Sequence, residues 1–193
     1  RDGDASIVSV SAPSGTAPCS GTPYNCDVPS TVGNTLNATA VLNGYLYIMG
    51  GCTNNACSAS STAVTYQAIG SDGTLQKPAT CTGTYSDSYC VSSTSLPNAT
   101  AAAGAAVFND KIYLVGGFTN GSNIYYTTSN PDGSISAWTT TSLSTASSAA
   151  VTTLSYAYAY ARANPASAGT SPGNLYIIGG CTNAAVSCSG YSQ

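Results

Sequence analysis

The chain has 193 residues, with four basic and seven acidic side chains, no histidine and a formal net charge of −3. This charge provides no basic surface for nucleic acid, and no run of like charges marks a contact with an anionic membrane. The lack of histidine excludes a Ser-His-Asp triad within this stretch, and no apolar segment reaches the roughly 18 residues that indicate a membrane-spanning helix.

Residues 1–36 are predicted to hold the end of one structural repeat and the start of the next. Asp2-Gly3 is a turn signal, and the apolar run at residues 7–10 predicts a short strand after it. The same dipeptide recurs at Asp72-Gly73 and Asp132-Gly133. After the last of these turns, a strand is predicted from Ile135 to Trp138.

A two-stranded hairpin comes next in each repeat. Small residues form its first strand, at residues 38–42, 102–108 and 156–161. Asn43-Gly44 and Asn109-Asp110 are typical of the tight turn that follows. The second strand is a run of Leu, Ile, Val, Met and Tyr, which suits a buried sheet, and it ends on two glycines. Paired glycines permit positive φ or the close approach of another backbone. They are Gly50, Gly51, Gly116, Gly117, Gly179 and Gly180.

A polar loop and a further strand, at residues 63–69 and 124–128, complete the repeat. The sequence therefore predicts an all-β fold of four-stranded antiparallel units with a period of about 60–66 residues. Within a single β-repeat region, 1–193, repeats are assigned to 37–97, 98–150 and, incompletely, 151–193. Such a unit cannot bury both sheet faces alone. We therefore expect further units from the same polypeptide or from copies of the chain as partners.

Eight cysteines stand in near-neighbour pairs around short loops. Sequence alone leaves about 105 connectivities. Local pairing is favoured because the pairs recur at matching places in the repeats, and such a set predicts an oxidising, extracellular or cell-surface location. Zinc is the alternative, although neither a CxxC spacing nor a histidine supports it. The predicted disulfides join Cys19 to Cys26, Cys52 to Cys57, Cys81 to Cys90 and Cys181 to Cys188.

The glycine-terminated strand, the later tyrosine strand and the Asp-Gly turn before Trp138 resemble kelch repeats of β-propellers. The resemblance implies a partial kelch-like propeller of about three four-stranded blades, in which Tyr66, Tyr126 and Trp138 pack each blade. The sequence departs from the kelch pattern in three respects. Pro78 stands where the first complete repeat would need the tryptophan. The units exceed the usual length of about 50 residues, and disulfides are foreign to the cytoplasmic members.

No catalytic constellation is visible in the sequence. Glycoside hydrolysis needs two carboxyl groups that flank the bond. All seven acidic residues are aspartates, and most stand in turn contexts, where Asp bonds to its own backbone. No catalytic residue, cofactor or metal ligand is assigned. Glycosylation sequons begin at Asn37, Asn98 and Asn120.

Fourteen tyrosines provide contact area of the kind found on recognition surfaces. The leading hypothesis is a non-catalytic extracellular or cell-surface β-propeller that acts in binding or adhesion, with a glycan or protein ligand. Two alternatives stay open. One is a structural subunit of an extracellular filament or surface layer, and the other is a fragment of a larger secreted carbohydrate-active enzyme.

Overall fold

A computed structural model of the chain describes residues 36–54, 57–85, 89–118 and 121–143, together with 175 and 177. The regular elements within these ranges are ten β-strands in two antiparallel sheets, which confirms the predicted all-β fold. The strands are β1 Ala38–Leu42, β2 Tyr45–Met49, β3 Val64–Ile69, β4 Leu75–Gln76, β5 Thr84–Tyr85, β6 Cys90–Val91, β7 Gly104–Phe108, β8 Lys111–Val115, β9 Asn123–Thr128 and β10 Thr139–Ser142.

The second sheet contains β7 to β10 in chain order, so each strand pairs with the one before it. Asn109 and Asp110 connect β7 to β8 with φ values of 46° and 55°, as expected for a tight hairpin turn. β8 ends at Val115, immediately before the glycine pair. This sheet is the four-stranded antiparallel unit that the sequence predicted.

The first sheet repeats this arrangement and adds a hairpin. Strands β1, β2 and β3 pair in chain order, and Asn43-Gly44 forms the first turn with φ values of 52° and 79°. The fourth position is divided between two short strands. β4 pairs with the end of β3, whereas β6 pairs with its middle through Thr65 and Tyr66. β5 extends the sheet beyond β6.

Equivalent pairings show that the two sheets are copies of one unit. Tyr47 pairs with Tyr66 across β2 and β3, as Tyr113 pairs with Tyr126 across β8 and β9. On the other side, Tyr66 pairs with Cys90 and Tyr126 pairs with Thr139. The hairpin closed by Cys81 and Cys90 is therefore an insertion within the fourth strand.

The strand predicted from Ile135 to Trp138 is wrong. Ile135 makes only an isolated bridge with Ser129, and the fourth strand begins at Thr139. The reason is a shift in register. Between the Ser129–Ile135 bridge and the Tyr126–Thr139 pair, three positions of β9 oppose four positions of the other strand, so one extra residue interrupts the ladder. In this interval the Thr127 hydroxyl donates to the Ser136 carbonyl at 2.7 Å.

The two sheets pack together through one apolar cluster. Tyr47, Met49 and Tyr66 come from the first sheet, and Ile112 and Leu114 come from the second. On the opposite face of the second sheet, a separate cluster contains Val115, Ile124 and Leu143. Tyr113 and Ile177 pack against this second cluster. The second sheet therefore has buried apolar side chains on both of its faces.

Candidate functional site

The inserted hairpin is an exposed part of the first sheet. Thr84 and Tyr85 pair with Val91 and Cys90, so the fourth strand continues into a two-stranded projection. The disulfide between Cys81 and Cys90 closes its base. Cys90 is fully buried, whereas 42% of the Tyr85 surface is exposed. The disulfide thus fixes the hairpin to the buried core, while the Tyr85 side chain of the hairpin is exposed to solvent.

Tyr85 is held by two contacts from the segment that precedes the hairpin. Its hydroxyl donates to the Pro78 carbonyl at 3.1 Å. The Lys77 ammonium lies 4.2 Å from the centroid of its ring, which is a cation–π contact. Lys77 is exposed and is one of four basic residues in the chain. The pair presents a positive charge beside an aromatic ring.

Exposed polar residues stand next to Lys77 and Tyr85 in the chain, and we call the set the hairpin surface. It has no titratable acid among its members, and its hydroxyls and amide both donate and accept hydrogen bonds. A ligand with hydroxyl or carbonyl groups suits this chemistry. The hairpin surface consists of Gln76, Lys77, Thr82, Thr84 and Tyr85.

The predicted cysteine pairs within the described ranges are disulfides. Cys52 bonds to Cys57, and Cys81 bonds to Cys90. These four residues are therefore not zinc ligands. Cys19, Cys26, Cys181 and Cys188 lie outside the described residues, so their pairing stays a prediction. Two disulfides are consistent with an extracellular location.

The glycine pairs meet the segment that links the two repeats. Gly51 donates its amide to the Thr100 carbonyl at 2.8 Å. A Cβ added to Gly50 would collide with that same carbonyl oxygen, and one added to Gly117 would collide with the Thr100 hydroxyl. The close backbone approach permitted by glycine is used in both repeats. Gly179 and Gly180 lie outside the described residues.

Asp72 and Asp132 have structural roles in matching turns. Oδ1 of Asp72 accepts from the amide and hydroxyl of Thr74 at 3.0 and 2.7 Å. Oδ1 of Asp132 accepts from the amide and hydroxyl of Ser134 at 3.0 and 2.6 Å. These bonds favour the ionised form, so the pKa of each carboxyl lies below its ordinary value. The backbone bond is the largest cause at Asp72, and the hydroxyl bond is the largest at Asp132.

The second of these turns contacts the tyrosines of the first sheet. The Tyr47 hydroxyl donates to the Gly133 carbonyl at 2.9 Å and lies 2.6 Å from the Ser129 hydroxyl. The Tyr45 hydroxyl donates to the Pro131 carbonyl at 3.3 Å. Burial raises the pKa of Tyr47 to about 12, although the Ser129 hydroxyl opposes this effect. The inter-sheet contact thus combines apolar packing with specific hydrogen bonds.

Trp138 and two sequon asparagines are placed as follows. Trp138 is half-buried against the cluster between the sheets. Its indole Nε1 has no hydrogen-bond partner within the described part of the chain.

The Asn98 side-chain amide donates to the Tyr125 hydroxyl at 2.8 Å, and the Asn37 side-chain amide donates to the Gly50 carbonyl at 3.5 Å. Asn120 lies outside the described residues.

The sequence did not reveal the Lys77–Tyr85 contact or the link between Tyr47 and Ser129. The alternation of Tyr45 and Tyr47 was the available signal for the second, because residues two apart share a sheet face. Within the ranges that the structure describes, no helix has the length and apolarity needed to cross a membrane. Compared with protein-family models and with curated proteins, the chain gives no match.

Proposed function

We propose that the chain is a secreted, kelch-like β-repeat module that binds an extracellular ligand at the cell surface without catalysing a reaction. Its sheets are then blades of a β-propeller, of which the chain holds about three. The inserted hairpin is the observation that carries this proposal. It is an insertion that the second repeat lacks, and its exposed Tyr85 ring lies against the ammonium of the exposed Lys77.

The physical argument for binding concerns conformational entropy. A tyrosine on a flexible loop loses freedom when a ligand immobilises it. Here the Cys81–Cys90 disulfide and the bond from Tyr85 to the Pro78 carbonyl restrict the ring before any ligand arrives. Pre-ordering of this kind increases affinity without additional contacts.

A glycan array, together with adhesion of the labelled chain to cell surfaces, tests this function. We expect saturable binding that Tyr85→Ala and Lys77→Ala each weaken by about tenfold, the effect of one lost contact of about 1.4 kcal/mol. Thr140→Ala is the matched control, because Thr140 is exposed on β10 of the other sheet. Binding that all three variants retain would remove the hairpin surface from the proposal. The absence of binding to every glycan and cell surface would refute the function.

A structural subunit of an extracellular filament or surface layer is the second candidate. The supporting observation is an exposed apolar surface on the first sheet, where Val41 is 55% and Leu75 is 49% exposed. Large apolar side chains grouped on one sheet face favour association with another chain. Electron microscopy of the concentrated protein distinguishes this candidate, which requires ordered polymers, from a module that stays monomeric.

A further inference from the structure

The first and second sheets contain the same turn between their third and fourth strands. In the first, the Gly70 amide donates to the Thr74 carbonyl at 2.8 Å, and the Gly70 carbonyl accepts from the Gly73 amide at 2.9 Å. In the second, the Asn130 amide donates to the Ser134 carbonyl at 2.8 Å, and the Asn130 carbonyl accepts from the Gly133 amide at 3.0 Å. The aspartate bonds are also the same. The two turns therefore present equivalent carbonyls and equivalent shapes.

The surroundings of the two turns are different. A Cβ added to Gly133 would lie 2.6 Å from the ring of Tyr45, whereas one added to Gly73 would meet nothing within 4 Å. The turn at residues 130–134 thus packs on the tyrosines of the neighbouring repeat. The turn at residues 70–74 has no such neighbour among the described residues.

The apolar side chains beside the turns show the same contrast. Leu75 bridges to Ile69 as Ile135 bridges to Ser129, so Leu75 and Ile135 are equivalent. Ile135 is 5% exposed and belongs to the cluster between the sheets, but Leu75 is 49% exposed.

Equivalent positions on the first two strands behave in the same way. Val41 pairs with Leu46 as Val107 pairs with Ile112. Ile112 is fully buried and Val107 packs on the same cluster, whereas Val41 is 55% exposed. We call the surface formed by Val41, Leu46, Ile69, Leu75 and the turn at residues 70–74 the outer face. Apolar side chains stand at the positions that the second sheet uses to bind a tyrosine-bearing sheet, and Ile69 replaces Ser129 there, so the turn carbonyl at Gly73 is the acceptor that the two faces share.

We propose that the outer face binds the tyrosine-bearing strand of a repeat in a second copy of this chain, in a head-to-tail contact. The occupant is the segment at residues 174–180, which the sequence predicts to be the third glycine-terminated strand and in which Tyr176 stands at the sequence position of Tyr47. Its hydroxyl donates to the Gly73 carbonyl, as the Tyr47 hydroxyl donates to the Gly133 carbonyl within one chain.

The placement of Ile177 favours a strand from another copy. Ile177 packs against the cluster of Val115, Ile124 and Leu143, on the face of the second sheet that points away from the first sheet. Within one chain the second sheet therefore stands between Ile177 and the outer face. Contact through two different surfaces is heterologous, so it adds copies in a chain unless the rotation closes a ring.

Sedimentation equilibrium of the 193-residue chain over a range of concentrations tests the proposal. We expect concentration-dependent association, which the double variant Val41→Asp, Leu75→Asp weakens by about 100-fold because two carboxylates would lose water at the contact. Thr140→Asp adds a carboxylate on exposed β10 and is expected to leave association unchanged. Near-ultraviolet circular dichroism verifies that each variant is folded. A wild-type chain that stays monomeric up to about 1 mM would overturn the proposal.

A mixing experiment tests the head-to-tail geometry. Tyr176→Ala removes the donor surface and leaves the outer face intact, whereas the double aspartate variant has the reverse defect. We expect neither variant to associate alone, and the equimolar mixture to form heterodimers. Failure of the mixture to associate, with both variants folded, would overturn the geometry. Tyr176→Phe, which removes only the hydroxyl, is expected to weaken association by about tenfold.

This inference can be separated from the proposed ligand function. Tyr85→Ala alters the hairpin surface and is expected to leave association unchanged. Conversely, Val41→Asp alone, on β1, is expected to retain ligand binding through the hairpin surface. Loss of one activity without the other shows which of the two proposals has failed.

Discussion

The hydroxyl oxygens of Tyr47 and Ser129 lie 2.6 Å apart, although 82 positions separate the residues in the chain. This contact joins the second strand of one repeat to the turn of the next. With the bond from Tyr47 to Gly133, it places a polar anchor inside an otherwise apolar contact between sheets.

Replacing Tyr47 with phenylalanine is expected to destabilise the fold by about 1–2 kcal/mol, because the buried Gly133 carbonyl loses its donor. Urea unfolding followed by tyrosine fluorescence measures the change. Tyr45→Phe is the matched control, since its 3.3 Å bond to Pro131 is exposed, and we expect about 0.5 kcal/mol or less. Equal effects of the two substitutions would contradict the assigned role of Tyr47.

Two glycines with nearly equal backbone conformations allow a second comparison. Gly73 and Gly133 have φ values of 82° and 84°, so alanine is strained by a similar amount at either position. Only Gly133→Ala also drives a methyl group into the Tyr45 ring. We expect a loss of about 1 kcal/mol for Gly73→Ala and about 2–4 kcal/mol for Gly133→Ala. Thermal unfolding measures both, and a difference below about 0.5 kcal/mol would count against the described packing.

Loss of the Cys81–Cys90 disulfide, through Cys81→Ser with Cys90→Ser, is expected to destabilise the chain by about 3 kcal/mol on the loop-entropy estimate. Urea unfolding at neutral pH measures the effect. Digestion without reduction, followed by mass spectrometry, provides the control for connectivity. It should yield Cys81 and Cys90 in one linked pair of peptides, and a peptide that links either residue to Cys52 or Cys57 would refute the pairing.

Acid should weaken the fold through Asp72 and Asp132. Both carboxyls have folded-state pKa values below the ordinary value of 3.8, so their stabilising effect is present above that pH and disappears as the pH falls through the folded-state pKa. Urea midpoints measured from about pH 6 to pH 2 should decline below about pH 4. Asp72→Asn with Asp132→Asn should reduce this decline. An unchanged slope in the double variant would assign the acid sensitivity to other groups.

Alkali should act on the inter-sheet contact through Tyr47. Its pKa is raised to about 12 from an ordinary value of 10.0, so the buried phenol contributes stability that is complete below pH 10 and is lost as the pH rises through about 12. Unfolding midpoints between these pH values measure the effect, with tyrosinate absorbance as the record of ionisation. Tyr47→Phe should lose part of this dependence, and a variant with the wild-type profile would exclude Tyr47 as its source.

The local structure was largely predictable from the sequence, and the tertiary contacts were not. Short apolar runs and Asn-Gly chemistry indicated β1, β2, β7 and β8 with their hairpins. The break before Thr139 was missed because it comes from one extra residue in the ladder, next to the bond from Thr127 to the Ser136 carbonyl. A propensity pattern contains no information about such a bond.

The candidate site was predictable only in outline. The cysteine spacing indicated a closed loop, and the structure adds that Lys77 covers the ring of Tyr85. The contact of the Asp132 turn with Tyr45 and Tyr47 joins segments more than 80 positions apart, as the 82-residue separation of Tyr47 from Ser129 illustrates. Single-sequence reasoning placed both elements correctly but had no means of bringing them together.

The inserted hairpin has a consequence for engineering. Pro78 and Trp138 both stand six positions after their turn aspartates, and the residues that pair with Tyr66 and Tyr126 of the third strands are Cys90 and Thr139. Twelve positions separate Pro78 from Cys90, whereas one position separates Trp138 from Thr139. The first repeat therefore accommodates eleven additional residues with its pairing register unchanged. The junction between Trp138 and Thr139 is accordingly a place to graft a foreign loop, and a cysteine pair at its base would let one scaffold display two epitopes on adjacent sheets.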